Sequence, residues 1–473
     1  MTDRCETAKT ELQKVVRSLV AQFRQALPVG AFGDRERAAL GLANELVRGA
    51  LEEDLQDIAA SFGDFVEYRG QTYRRHQLGN AKYPSLCGPI EVARDSYRLV
   101  GVHNGPTIIP LELEAGFIEG ATPELARNVA HGYGENHMRA HLELLEKAHR
   151  VPPPRATLER LAKRLATRVA TETPRVEPKV RRLERVPQEA CAVVVGVDRT
   201  TAPMEEPSDK QPKSRKTPHV RERPAPVEVK YRMAYAATVT LVDRHGEALV
   251  TRRYAIDASS CEHTLIGRVM ADVRHYVTQR PGLMVGVVQD GAHEMWNLVR
   301  SGLEKLKQLG VVKAWSEAID FFHLLERLSE TLELLGDDNR HWRLQNWRAD
   351  LESCDDTIDS IASHLRFHRD DVKNAEKLAK LDAHITYIAN NNDRMRYRTM
   401  RARGLPVGSG VTESACKTVV NMRAKGAGQR WHCEGLRGVL NLRAINASDR
   451  FDGFWAYFAR LHVANVNNCE LAA

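Results

Sequence analysis

Gly404-Leu405-Pro406-Val407-Gly408-Ser409-Gly410-Val411-Thr412-Glu413-Ser414-Ala415-Cys416-Lys417 is the stretch on which the reading of this chain turns. It opens with turn formers, tightens through Gly408 and Gly410, and runs into a segment of helical character. With Gly410 as N-cap, Glu413 takes the third helical position, where a carboxylate meets unsatisfied N–H groups and the positive end of the helix dipole. On that reading Glu413 is a cap. A second reading makes it the last of a set of carboxylates whose other members lie upstream.

Two apolar runs upstream lead directly to aspartate. Cys191-Ala192-Val193-Val194-Val195-Gly196-Val197 reads as a strand buried on both faces and ends on Asp198. Leu283-Met284-Val285-Gly286-Val287-Val288 reads as a second such strand, followed by Gln289, Asp290 and Gly291. Between them, Tyr231–Val242 and Ala248–Ile256 flank the turn sequence Asp243–Glu247 and predict a hairpin, and Ser259–Thr278 predicts a helix. A helix over His293–Leu309 then leads to a last strand region ending near Asp320-Phe321-Phe322-His323. This order predicts a mixed five-stranded α/β sheet whose first, fourth and fifth strands are parallel. In such sheets ligands gather at the carboxyl ends of the strands.

Outward from this core the chain divides by pattern. Residues 1–64 read as helical, 65–118 as a small β-rich module, and 119–170 as three short helices in a helix-turn-helix-like arrangement. The third helix carries Arg160, Lys163, Arg164 and Arg168 largely on one side, as phosphate contacts require and as a solvated face would also show. Residues 171–190 read as a Pro-containing basic linker. The core's first part is 191–335, interrupted by a Pro-, Lys- and Glu-rich insert at 203–228 expected to be disordered. A charged helical insertion covers 336–403, with Leu344, Trp347, Leu351, Ile358, Ile361 and Leu365 at helical spacing, and 404–473 completes the core.

The 473 residues exceed what one core holds, so several domains are expected. The net charge of +7 permits a polyanionic partner without demanding one. The eight cysteines contain no C-x-x-C pair, which argues for reduced, packed thiols rather than a disulfide framework or structural zinc. There is no long apolar run, and the polar start Met1-Thr2-Asp3-Arg4 is unlike a signal peptide, so a cytoplasmic location is expected.

Asp198, Asp290 and Glu413 have a chemical rationale as a set. Mg²⁺ accepts only one or two protein carboxylates per ion, and phosphodiester chemistry with two such ions needs several carboxylates converging at one edge. Each has a plainer alternative: Asp198 as a turn residue, Asp290-Gly291 as a common turn pair, Glu413 as a cap.

Val197-Asp198, Gln289-Asp290-Gly291-Ala292, Asp320-Phe321-Phe322-His323, Gly404–Lys417 and the run Arg423-Ala424-Lys425-Gly426-Ala427-Gly428-Gln429-Arg430-Trp431 together resemble bacterial insertion-sequence DDE transposases, nearest the ISKra group. The resemblance covers roughly Val193 to Trp455. It implies a ribonuclease H-like core with a helical insertion before the Glu, and a metal-binding triad of Asp198, Asp290 and Glu413 holding two Mg²⁺ or Mn²⁺ ions. It implies that His323 contacts DNA or the transition state, oriented by Asp320. Lys417, Arg423, Lys425 and Arg430 would meet phosphates of the transposon ends. The partners it implies are double-stranded DNA, namely terminal inverted repeats and target, and a homodimer or larger assembly at synapsis near the nucleoid, with no membrane and no small-molecule cofactor. A catalytically inactive or domesticated DNA-binding derivative is the alternative. The chain departs from some relatives in carrying only Cys87 where they have paired cysteines in the N-terminal β module.

Overall fold

A computed structural model describes residues 15–21, 31–208, 227–257, 259–466 and 469–471. They fall into two compact units, one from 1–126, 138–161 and 462–473, the other from 127–137 and 162–461.

In the first unit a long helix, α1 (Phe32–Ser61), precedes an antiparallel sheet of β1 (Phe65–Tyr68), β2 (Gln71–Ser85), β3 (Gly88–Leu99) and β4 (Thr107–Ile108). The strand Cys469–Leu471 pairs with β1 and completes five strands. Leu55 of α1 joins Tyr83, Ile90, Val92, Leu111 and Phe117 in a small core. The helical N-terminal region and the β module thus share one hydrophobic centre. A short helix, α2 (Pro110–Glu114), follows β4.

The three helices expected next are α3 (Pro123–Glu135), α4 (Met138–Lys147) and α5 (Arg155–Leu183). The last runs through most of the stretch read as a linker, with Pro174 and Pro178 inside it. Proline removes a helical hydrogen bond, which is why the segment looked like a break. Burial overrides that cost here. Val176 and Val180 are buried, and Glu177 and Arg181 enter an interior ion network.

The second unit is built on a mixed sheet of order β7-β6-β5-β8-β9. Its strands are β5 (Ala192–Pro207), β6 (Val227–Val242), β7 (Ala248–Ile256), β8 (Met284–Gln289) and β9 (Ser316–Ile319). β5, β8 and β9 are parallel, while β6 runs antiparallel to both of its neighbours, β5 and β7, as the order of elements predicted. The turn between β6 and β7 is held by Asp243, whose carboxylate accepts from the backbone of His245 and Glu247. Helices α6 (Glu262–Gln279) and α7 (His293–Gln308) cover the sheet, and Gly302 of α7 has no side chain to collide with Met270 and Ile266 of α6.

Two expectations change along β5. The strand does not end on Asp198 but continues to Pro207, paired throughout with β6 from Val227. The ends of the insert read as disordered, 203–207 and 227–228, are therefore strand, while 209–226 lie outside the described residues. Prolines and glutamates weakened the β signal, but backbone pairing to β6 supplies what side-chain pattern lacks.

Beyond β9 come α8 (Phe321–Leu335) and the helices of the insertion: α9 (Arg340–Ser353), α10 (Thr357–His368), α11 (Ala375–Asn391) and α12 (Tyr397–Ala402). Then follow α13 (Gly410–Ala415), a π-helical segment Cys416–Asn421, α14 (Met422–Ala424), α15 (Cys433–Ala447) and α16 (Phe451–Val466). Among the described residues, no helix is long and apolar enough to cross a membrane.

Candidate functional site: a carboxylate pocket at the sheet edge

The segment 404–413 crosses the sheet and is pinned at each step. Gly404 takes a left-handed conformation against the Arg244 carbonyl, where a side chain would collide. Leu405 fills the space that Gly286 of β8 leaves open. The Val407 carbonyl accepts from the Phe321 N–H at 2.9 Å. Asp320, almost fully buried, caps α8 by accepting from the His323 N–H at 2.8 Å, and its other oxygen accepts from the Ser409 N–H. Thr412 then seats on β5 at Gly196, where a β-carbon would collide with its hydroxyl, and that hydroxyl shares a 2.7 Å hydrogen bond with Thr238 of β6.

The cap is one residue earlier than expected. Ser409, not Gly410, precedes the first helical residue, so Glu413 is one position beyond the third. Its carboxylate makes no cap to the backbone and accepts instead from the Ser409 hydroxyl at 3.3 Å.

Asp198 and Asp290 are brought alongside by register. β5 and β8 pair from Ala192↔Met284 to Val195↔Val287, an offset of 284 − 192 = 92, and the same offset aligns Asp198 with Asp290. Both line a pocket of about 250 Å³ together with Glu413, His323, Gln289, Cys416 and Lys417. Burial pushes the Asp198 carboxyl above its ordinary value; the Cys416 thiol and the Arg199 N–H pull it back, and the negative charges of Asp290 and Glu413 push it up further. Repulsion among the three is thus part of the electrostatics of the site.

His323 lies between the carboxylates without a hydrogen bond to either. Its Nδ1 is 3.6 Å from Asp320 and its Nε2 is 3.9 Å from Glu413. Nδ1 is buried and unpartnered. Asp320 therefore holds the backbone of His323 rather than its ring. Among the described residues, Asp320, His323 and Glu413 form the trio whose ligand atoms all lie within 4.8 Å of one another. Asp198, Asp290 and Glu413 share the pocket but stand further apart than that. Both oxygens of Asp320 already accept backbone N–H groups, so Asp320 has less capacity left for a cation than the other carboxylates.

Several residues at the site, some of them inside the quoted motifs, had no role that the sequence alone assigned. Gln289, the last residue of β8, is 1 % exposed, and neither its amide nitrogen nor its amide oxygen has a partner. Leaving a buried polar group unpaired costs about 1–3 kcal/mol. A side chain that incurs this cost at the wall of a pocket is positioned for a polar ligand. Cys416 donates its thiol to Asp198, and burial pushes that thiol up, so it remains protonated. Tyr387, from α11 in the insertion, packs where Gly291 lacks a side chain, and burial raises its hydroxyl pKa. Arg199 lines the pocket and pairs with Glu294.

The expected DNA contacts separate into two kinds. Lys417 and Lys425 are exposed beside the pocket, the latter donating to Thr200 at 2.7 Å. Arg430 is exposed and pairs with Glu205 at 2.7 Å. Arg423 is different. It is 4 % exposed, with its guanidinium over the Tyr133 and Trp431 rings at 5.2 and 5.0 Å. A side chain so enclosed braces the loop and does not reach phosphate. Trp431 is likewise structural, donating its indole N–H to Ala424 and joining β5 through Pro203 and Glu205. On α5, Arg160, Lys163 and Arg164 are exposed, while Arg168 is half-buried over Phe458.

No protein-family model matches the chain, and no curated protein does either.

Proposed function

We propose that the chain is a DDE-type DNA transposase with a ribonuclease H-like core, which binds the ends of its insertion sequence and cleaves and joins DNA by phosphoryl transfer. The single observation that carries this reading is the convergence of Asp198, Asp290 and Glu413 on one pocket, from two register-matched parallel strands and a helix that follows a helical insertion. The donor set is all oxygen, which suits Mg²⁺ or Mn²⁺, and a divalent cation would offset the burial, and the added repulsion from Asp290 and Glu413, that raise Asp198. Asp198, Asp290 and Glu413 would hold two ions, which supply charge stabilisation at the phosphate and an activated nucleophile when bound.

The chain's own residues do the remaining work. Thr412 and Asp320 fix Glu413 relative to the strands. Gln289 offers an amide to the oxygen of a nucleophile or a phosphate. His323 presents an imidazole beside Glu413 for contact with DNA as charge develops. Lys417, Lys425, Arg430 and the exposed cations of α5 supply phosphate contacts that orient the duplex. A catalytically inactive DNA-binding derivative would have no use for three carboxylates held together against their repulsion.

The test is to replace Asp198, Asp290 and Glu413 singly, by Asn or Gln, and assay cleavage and joining of DNA carrying the element's inverted repeats with Mg²⁺. Each replacement is expected to abolish both steps while DNA binding persists. Retained cleavage in any variant removes that residue from the site, and cleavage without joining in the parent makes the protein a nuclease of the same core.

A further inference from the structure

β6 is longer than the sheet needs. It pairs with β7 only from Tyr235 onward, so among the described residues the outer edge of Val227–Ala234 has no strand beside it. Along that edge one face carries Val227, Val229, Tyr231 and Met233, exposed by 46, 45, 67 and 41 %. A row of alternating exposed apolar side chains next to unpaired backbone N–H and C=O groups is a template for another strand. The opposite face carries Glu228, Lys230 and Arg232, which with Glu206 of β5 make a chain of ion pairs.

We propose that this edge is an interface between two copies of the chain, joined by antiparallel pairing of β6 with its counterpart about a two-fold axis at Val229. The argument for a second copy is self-complementarity. A two-fold axis brings each edge strand against itself in the antiparallel sense. Centred on Val229, it sets Glu228 opposite Lys230 twice, Val227 opposite Tyr231 twice, and Val229 opposite itself. Opposite charges then face each other on one side of the joined sheet and apolar side chains on the other, the combination that stabilises cross-strand pairs. A register centred on Lys230 would also set Glu228 opposite Arg232, but it puts two lysines in contact on the axis. The register centred on Val229 avoids that like-charge contact and is the one we assign. The inference does not depend on the catalytic reading.

The experiment is sedimentation equilibrium of the full chain, without DNA, over a concentration series. The parent is expected to associate to a dimer. Glu228→Lys and Lys230→Glu, each alone, place like charges opposite one another and are expected to weaken association by about tenfold or more. An equimolar mixture of the two variants restores opposite charges at both positions and is expected to recover the parent's association. These side chains are solvent-facing, and thermal unfolding verifies that each variant stays folded. A chain that remains monomeric, a dimer indifferent to either single substitution, or a mixture that fails to recover would each overturn the interface. None of these outcomes bears on the carboxylate pocket, whose failure would appear instead as retained cleavage in the carboxylate variants.

Discussion

Thr412 lies against Gly196 so closely that no β-carbon fits between them, and its hydroxyl is bonded to Thr238. Gly196 is two residues before Asp198, and Thr412 is one before Glu413. This one contact therefore sets the separation between a strand carboxylate and the helix carboxylate.

Gly196→Ala is expected to push α13 off the sheet. Overpacking of this kind costs about 1–3 kcal/mol. DNA cleavage should fall by more than the loss of folded protein explains, because Glu413 moves with Thr412. Urea unfolding and a cleavage assay on the same preparation separate the two effects. Equal losses in both would show that the contact matters only for stability.

Asp198→Asn should make the cation-free protein no less stable, since burial and the charges of Asp290 and Glu413 already oppose ionisation there. In the parent, Mg²⁺ is expected to raise Tm by binding the folded state, and in the variant that rise should largely disappear. Thermal unfolding with and without Mg²⁺ reads both. An undiminished Mg²⁺ shift would place the cation elsewhere, with Asp320, His323 and Glu413 the next set to test.

Gln289→Leu removes two buried, unpartnered polar atoms at nearly constant volume. The apo protein is expected to hold or gain stability, by about 1–3 kcal/mol at most, while cleavage declines. Denaturant midpoints and single-turnover rates would show this opposition. A variant that loses stability would mean that Gln289 is serving the fold.

Asp272 is fully buried among Arg181, Arg450 and Tyr254, in a network that ties α5 to the sheet unit through Glu177 and Glu184. Burial alone would raise its carboxyl, but Arg450 and Arg181 hold it below the ordinary value. A depressed folded-state pKa contributes stability that is present above the unfolded value, near 4 for an aspartate (about 3.9), and is lost as pH falls through the folded value. Asp272→Asn should therefore cost on the order of 3–5 kcal/mol near neutral pH, by leaving buried guanidinium groups unpaired, and much less in acid. Unfolding curves from neutral pH downward would show the gap between parent and variant closing; a gap independent of pH would assign the loss to packing.

Lys425→Ala and Arg423→Ala should fail in different ways. The first leaves folding intact and lowers the salt dependence of DNA binding by about one phosphate contact. The second destabilises the loop braced on Tyr133 and Trp431. Salt titrations of DNA affinity beside thermal unfolding distinguish them.

The sheet was legible because β5 and β8 carry apolar runs punctuated by turn residues, and the site's place followed from Asp198 and Asp290 lying just past those runs. The rest depended on partners far along the chain. Pro174 and Pro178 read as a break until the buried ion network around Arg181 is known to hold their helix together. The outer half of β5 has no apolar alternation of its own and exists because β6 pairs with it. Arg423 has the composition of a phosphate contact and the surroundings of a core residue, a difference set by Tyr133, almost three hundred positions earlier. Gln289 stands in one of the quoted motifs, but its unpartnered amide shows only in a three-dimensional inventory of donors and acceptors.

Asp320 grips Ser409, and Phe321 grips Val407, so the chain leaves the sheet and returns to it at nearly the same point. Everything from α8 through α12 is an excursion with its two ends stapled together. Closing a longer excursion costs only slightly more entropy, since the penalty grows with the logarithm of its length. The number of residues between Asp290 and Glu413 is thus free to drift as helices are gained or lost. The spacing that chemistry depends on is kept by one backbone–backbone hydrogen bond, one from the backbone to the Asp320 carboxylate, and a threonine.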